Sequence, residues 1–396
     1  MNDLSPIYDS LVIGGGPAGL TTAIALAETG AKTALLARRA PYADNRTTAL
    51  LGASTELLER LDVWQRCRDQ AAALQTMRLV DDTGRLIRAP EVRFSAEEIG
   101  LEAFGYNIDN RTLMAALEAR AAEFPDLVRI DDEAATIDPQ DAMVAIQTRQ
   151  GQALSARLVI GADGRQSPSR EAAGIGVKRR DLHQSAITFN IAHSRPHKNI
   201  STEFHTSQGP CVFVPLPGNR CSVVWVSAAN EAQRLMALSD DELSDAVEKQ
   251  SHSILGRVSV KPGRNLFPLT IESPRAFASH RVALVGESAH VLPPIGAQGL
   301  NMGLRDAADI ADIAGQAMSL GEDPGSPQVL ARYQSARHSD VTTRMIAIDI
   351  ANRSLLSDFL PVQSLRAAGL HLLGAFGPLR RLAMREGLAP SWKRVS

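Results

Sequence analysis

The chain has 396 residues, enough for two domains by the usual measure of ~150 residues each. Hydrophobic residues make up 44% and charged residues 22%, as in a globular protein, and the formal net charge of −2 excludes a global basic field for nucleic acid. No run of ~18 apolar residues predicts a transmembrane helix, the opening "MNDLSPIYDS" lacks a basic–apolar signal pattern, and Cys67, Cys211 and Cys221 lack metal-ligand spacing, which together predict a cytoplasmic protein with reduced thiols.

Leu11, Val12 and Ile13 read as a short parallel strand, and Gly14, Gly16 and Gly19 follow as G-x-G-x-x-G. Leu20, Ala23, Ile24 and Ala27 then recur at helical spacing, Gly30 stops the helix, and Thr33 to Leu36 reads as a second strand. In this βαβ setting Gly14 allows a tight turn, Gly16 lets backbone approach a pyrophosphate, and Gly19 lets helix pack on strand. The expectation is a dinucleotide at the helix N-terminus. The acid that should close the second strand and bind the adenosine ribose is missing: Ala37 stands there, followed by Arg38 and Arg39. Arginines at that place also suit a 2′-phosphate and hence NADP.

Further along, "VDDTGR" (80–85) and "LPGNR" (216–220) predict hairpin turns. Leu158, Val159 and Ile160 form another apolar strand, ending in Gly161, Asp163 and Gly164, with Pro168 and Ser169 opening a helix that carries Arg170. Phe189, Phe204, Phe213 and Trp225 alternate with polar residues in predicted strands, mainly as core, with one face open to an aromatic-substrate pocket. Val282 to Val285 is a third such strand. Gly286, Pro293, Pro294, Gly296 and Gly299 then forbid regular structure around one carboxylate, Glu287, until a helix runs from about Leu300 to about Leu320. Ligands of open α/β sheets bind at the carboxyl ends of strands, so the three glycine turns can converge on one long cofactor. "GEDPGSP" (321–327) reads as a linker before further helical segments.

At these three motifs the chain resembles the FAD-dependent aromatic hydroxylases related to p-hydroxybenzoate hydroxylase. The resemblance implies that Gly14, Gly16 and Gly19 hold the ADP part of FAD, and that Asp163-Gly164 serves both FAD and NAD(P)H. Glu287, where that family usually has Asp, would face the ribityl hydroxyls. Pro294, Gly296, Gln298, Gly299, Leu300 and Asn301 would line the isoalloxazine, and Arg38 is the cation nearest the missing ribose acid. "DNRTTALLGASTELLERLDVW" (44–64) and "YNIDNRTLMAALEARA" (106–121) resemble segments of the ubiquinone-biosynthesis hydroxylases, the polyprenyl-phenol hydroxylases, and place Arg46 and Arg111 at the cofactor. The stretch 186–225 resembles their substrate-domain sheet through its A-H-x-R-P-H run and its P-L-P-x-x-R-x-S-x-V-W hairpin.

The implied fold is α/β: a Rossmann-like FAD-binding domain (1–75, 108–178 and 279–330) interrupted by an antiparallel-sheet substrate domain (76–107 and 179–278), with C-terminal helices (331–396). The implied reaction is aromatic-ring hydroxylation. NAD(P)H reduces FAD and leaves, O2 forms a flavin C4a-hydroperoxide, and a polyprenyl phenol of ubiquinone biosynthesis receives one oxygen. A small soluble phenol or aromatic acid is the alternative substrate, and a non-catalytic flavoprotein subunit the alternative of another class. No catalytic dyad or metal cluster stands out. His290 reads as a structural hydrogen-bonding residue, His183, His193, His197 and His205 as structural or surface residues, and Ser167, Ser169 and Ser288 lie in no nucleophile elbow.

The tail from Leu365 carries Arg366, Arg380, Arg381, Arg385, Lys393 and Arg394 against Glu386 alone, interleaved with Leu370, Leu372, Leu373, Phe376, Leu379 and Leu382. Two readings follow. Either this is a docked terminal helix with a solvated basic face, or 365–396 makes a peripheral contact with the inner face of a membrane or with a biosynthetic complex.

Overall fold

A computed structural model describes residues 6–39, 45–85, 88–294, 296–356 and 360–388. Met1 to Ser5, Asp44, Lys393 and Arg394, all weighed above, lie outside the described residues, as do the side chains of Arg366, Leu370 and Glu386. The first apolar run becomes the strand Ile7–Ile13, the centre of a parallel array. It pairs with Thr33–Leu36 on one side and Ala153–Gly161 on the other; Leu127–Ile130 and Val282–Leu284 extend the array outward. Being covered on both faces, these strands carry unbroken apolar runs rather than alternation. Leu11, Val12, Leu35, Val159, Ile160 and Ala283 are all fully buried.

A second sheet lies over the carboxyl ends of that array. It runs from Val258–Val260 through Val177–His193, Arg220–Ala228, Gly209–Leu216, Ile200–Thr206 and Thr76–Asp81 to Val92–Ser95, with Asn265–Pro274 also paired to Val177–His193. Both hairpins predicted from turn residues bound its strands, with Gly84 and Gly218 at φ +67° and +75°. The sheet is not wholly antiparallel as expected: Thr76–Asp81, which the chain enters directly from the strand Ala72–Ala73 of another sheet, runs parallel to Ile200–Thr206. Val177–His193 slips register between Asp181 and Ser185, where His183 takes φ +54° and turns to solvent. A small third sheet, Thr47–Leu51, Gly105–Asp109 and Ala72–Ala73, has no counterpart in the sequence reading.

The third glycine segment leads into the helix Gln298–Ser319, which starts two residues before the expected Leu300. The 321–327 linker is a pinned turn. Asp323 receives Arg281 Nη2 at 2.6 Å, and a Cβ on Gly325 would lie 2.1 Å from the Arg157 carbonyl oxygen. The helix Pro327–Leu356 then packs against Gln298–Ser319. Charges are buried at this contact. Arg337, fully buried, donates to Asp306 at 2.6 Å, Asp309 at 2.7 Å and Asp340 at 3.0 Å, and Arg344 donates to Asp340 at 2.9 Å. Burial raises the pKa of Asp340, but the cations of Arg337, Arg305 and Arg344 overcome it and pull the group down from 3.8 to about 2. A carboxylate whose folded pKa is depressed contributes stability above its unfolded pKa and loses it as pH falls through the folded one.

Asp340→Asn is therefore expected to lower stability at pH 7 by about 2–4 kcal/mol. It should also flatten the loss of stability between about pH 4 and pH 2 relative to the unsubstituted protein. Urea midpoints at pH 7, 4 and 2.5 measure both; a parallel pH dependence in the two proteins would count against the assignment.

Candidate functional site

The three glycine turns meet at the first helix. Gly14, at φ +115°, sits so close to the second turn that a Cβ would lie 2.2 Å from the Ala162 carbonyl oxygen. On Gly19 a Cβ would lie 2.0 Å from the carbonyl oxygen of Gly14. A Cβ on Gly16 would meet nothing within 4 Å, so the middle glycine opens bare backbone to a ligand while the outer two close the turn. The third turn packs by small residues: Cβ atoms on Gly286 and Gly303 would lie 3.2 and 3.3 Å from Ala18 Cβ. Arg170, buried, joins the second turn to the third by donating to Arg165 O at 2.7 Å and to Ser288 O at 2.9 Å.

Two compartments open from Gly16. One, about 590 Å³, lies between the three turns and the overlying sheet. Gly164, Glu287, Pro294, Gly296, Gln298, Gly299 and Leu300 line it, as does Arg46, whose guanidinium stands 5.2 Å over the Phe267 ring. The other, about 1090 Å³, is lined by Gly14, Gly15, Ala37, Arg38, Arg111 and Asp163. The structure thus brings the predicted residues together around one turn, in two groups. Arg111 donates to Asn45, whose carbonyl accepts from Asn190 Nδ2 at 2.9 Å, so this arginine braces the junction of the two sheets. Arg38 pairs with Glu133 at the exposed rim. Asp163 receives the Ser167 hydroxyl and the Ser169 N–H, the latter at 2.9 Å, and so caps the short helix Pro168–Ala172.

One expected ring-lining residue is not at the cavity wall. Asn301 is fully buried; its Oδ1 accepts from Leu51 N at 2.8 Å, and its Nδ2 donates to Ala49 O at 2.7 Å and Ala297 O at 2.6 Å. These bonds clamp the third glycine segment to the small sheet and leave the side chain nothing for a ligand. Gln298 is also held: its Nε2 donates to Gly296 O at 3.0 Å and its Oε1 accepts from Arg344 at 3.0 Å. Ala297, between them, takes φ +54°, a strained conformation for a side chain with Cβ.

Glu287, more than half exposed, faces Arg165 at 3.4 Å. Arg165 went unnoticed in the sequence, although it follows Gly164 directly. On the sheet side, Phe189 and Phe267 line the cavity, while Phe204 and Phe213 lie in the core beneath that sheet and Trp225 packs on it. Glu203 is the one ionisable side chain that this sheet presents to the cavity among the described residues, and nothing in the alternation of its strand singled it out. The histidines serve structure. His290 Nε2 lies 2.7 Å from Asp306, His193 bridges Arg195 O and Cys221, and His197 reaches Leu216 O and Gly218 O. No group of acids, histidines and cysteines among the described residues could hold a metal ion.

Removing the Asn301 amide leaves buried backbone groups of Leu51 and Ala49 unpaired. Asn301→Ala should cost roughly 2–4 kcal/mol in the protein without any ligand, and urea unfolding of the apoprotein measures it. A residue used only to touch a cofactor would leave that midpoint unmoved.

The family described as FAD binding domain matches residues 8–347. Ubiquinone hydroxylase UbiL of Rhodospirillum rubrum is 33% identical over 389 residues, covering 96% of this chain and 90% of that protein. The 3-demethoxyubiquinol 3-hydroxylase of Escherichia coli is 29% identical over 389 residues, covering 95% and 97%. The crystal structure of p-nitrophenol 4-monooxygenase PnpA from Pseudomonas putida DLL-E4 shares the fold, with a TM-score of 0.79 at 20% identity over 97% of this chain and 99% of that one. A sheet whose three glycine turns meet at one helix, roofed by a second sheet, is thus an arrangement shared with known flavoproteins, and the chain belongs to the FAD-binding-domain family of monooxygenases, among the ubiquinone-biosynthesis hydroxylases.

Proposed function

We propose that the protein hydroxylates the ring of a polyprenylated phenol in ubiquinone biosynthesis, consuming NAD(P)H and O2. The observation that carries the substrate class is the charge of the roof. Among the described residues no lysine, arginine or histidine of the overlying sheet lines the cavity, and its one ionisable group there is the acid Glu203. The cavity's cations, Arg46 and Arg165, come from outside that sheet, and Glu203, bonded to His205 at 2.9 Å, would repel an aromatic carboxylate seated against it. A neutral phenol meets Phe189, Phe267, Val212 and Val224 instead.

The residues present fit FAD. The open backbone at Gly16 suits a pyrophosphate, Glu287 can accept from ribityl hydroxyls, and Arg46 adds positive charge on the same wall. Gln298, Gly299 and Leu300 line the cavity in the first turn of a helix, whose backbone N–H groups have no earlier turn to bond and would stabilise negative charge on a ring held there. When bound, FAD supplies the electron transfer and oxygen activation. The chain's part is to bind, orient and exclude water: Pro294 and Gly296 line the cavity where they would border the ring, and the apolar side chains of the roof would cover it. Assaying NAD(P)H oxidation and product mass with a polyprenylated phenol and with 4-hydroxybenzoate tests the proposal. Faster, coupled turnover is expected with the former; preference for the small acid would overturn the substrate assignment.

The tail supports a surface contact. No helix among the described residues is long and apolar enough to cross a membrane. The helices Leu360–Ala375 and Gly377–Leu388 are docked, with Met384 buried beside Ala96 and Phe104 and Arg380 paired to Glu98 at 2.7 Å. Leu372, Phe376 and Leu382 are nonetheless more than half exposed, next to the exposed Arg381 and Arg385. Phe104 and Met77 belong both to the cluster around Met384 and to the cavity wall, so the docked helix pair adjoins the site. Its exposed apolar face suits the headgroup boundary of an anionic membrane. Phe376→Asp with Leu382→Asp should abolish sedimentation with anionic liposomes and leave flavin content and melting temperature unchanged. Undiminished sedimentation would refute the contact.

A further inference from the structure

Ala37 stands at the carboxyl end of Thr33–Leu36, where this type of turn ordinarily presents an acid to the adenosine ribose. The next strand supplies a different group. Leu127–Ile130 pairs in parallel with Thr33–Leu36, placing Arg129 opposite Leu35. Its side chain, only 13% exposed, folds toward the first glycine turn. A Cβ built on Gly15 would lie 2.9 Å from Ala37 Cβ and 3.4 Å from Arg129 Nη2, so the three residues converge on one spot. The small side chain at 37 leaves room there for a guanidinium.

That guanidinium is only partly satisfied. Nη2 faces Glu118 Oε1 at 3.2 Å, whereas Nε and Nη1 are buried without a hydrogen-bond partner. Arginine cannot shed its proton to relieve the shortfall, and buried donors left unpaired are rare and costly. Both Arg129 and Glu118 line the compartment that opens from Gly14 to Gly16. Arg38, the cation that the sequence offered for this task, is instead paired with Glu133 and is 67% exposed.

We infer that Arg129 and Glu118 together read the adenosine ribose of FAD, in place of the acid absent at Ala37. The Arg129 guanidinium shifts out of its packed position as the cofactor seats and donates to ribose hydroxyl oxygens, and the Glu118 carboxylate accepts a hydroxyl proton. A diol satisfies both, since each hydroxyl donates and accepts. The inference rests on the FAD site proposed above and adds its adenosine end.

The test titrates apoprotein, by quenching of flavin fluorescence, with FAD and with FAD lacking the adenosine 2′- or 3′-hydroxyl. The unsubstituted protein should bind at least one deoxy analogue about tenfold more weakly than FAD. Arg129→Met should bind FAD about tenfold more weakly and no longer distinguish the analogues. Glu118→Gln, which keeps the side chain's size, should show a smaller loss of the same kind and serves if Arg129→Met does not fold. Retention of full discrimination by the folded variants, or its absence in the unsubstituted protein, would overturn the inference. Glu287→Ala separates it from the reading beneath: FAD and both analogues should weaken together by ten- to a hundredfold. If Glu287→Ala binds all three normally while Arg129→Met loses discrimination, the ribityl placement falls and the ribose assignment stands.

Discussion

Asp306 holds the architecture of the site together from a fully buried position. One oxygen accepts from the Gly286 N–H at 2.8 Å and lies 2.7 Å from His290 Nε2; the other accepts from Arg337 at 2.6 Å. A carboxylate stripped of water on this scale survives as an anion only when surrounded by donors, and His290 and Arg337 keep its pKa below the ordinary range despite burial. The three partners come from a glycine turn, the segment leaving it, and a helix beyond the next linker. A stretch rich in glycine and proline has little structure of its own to hold it. Here it is held from below by one acid, and the line of contacts continues from Arg337 through Asp340 and Arg344 to Gln298 at the cavity wall.

The small third sheet and the roof are joined by a different device, short polar side chains at their seam. Thr47 reaches Ser222 at 2.8 Å, and Asn107 donates to Pro215 O at 2.9 Å. Asn45 donates to Pro262 O at 3.3 Å while its own carbonyl is held by Asn190. These contacts set the roof over the turns at a fixed height. The cavity is the gap that such short residues leave open, which explains how it can be apolar on its roof and polar along its edges.

The parts legible in the sequence were those with local signals. Gly14, Gly16 and Gly19, Asp163-Gly164 and Glu287 each follow a short apolar strand, and each turn formed where its glycines required it. Hairpins with Gly84 and Gly218 were equally local. What escaped depends on distant pairing. The strand Ala72–Ala73 is too short to carry a period, and the parallel neighbour of Thr76–Asp81 lies more than a hundred residues away. The resemblance put Asn301 at the ring with its neighbours, which do line the cavity, but one step around a helix points a side chain elsewhere. The charged cluster did leave a trace: Tyr333, Arg337, Asp340 and Arg344 recur at helical spacing on one face, opposite Asp306 and Asp309, a pattern that marks a buried polar seam rather than a solvated helix.

The three cysteines acquire a meaning from where they lie. All are free and buried; burial lifts the thiol of Cys67 to about 11 and that of Cys221 to about 12, and holds Cys211 well above its ordinary value. Thiolate, not thiol, is the species that peroxide attacks. Flavin enzymes that handle oxygen release peroxide whenever reduction outruns substrate, so the sulfur atoms of such a catalyst stand in the path of its own by-product. In this fold burial keeps them protonated and away from solvent, the state in which a thiol is least open to that attack.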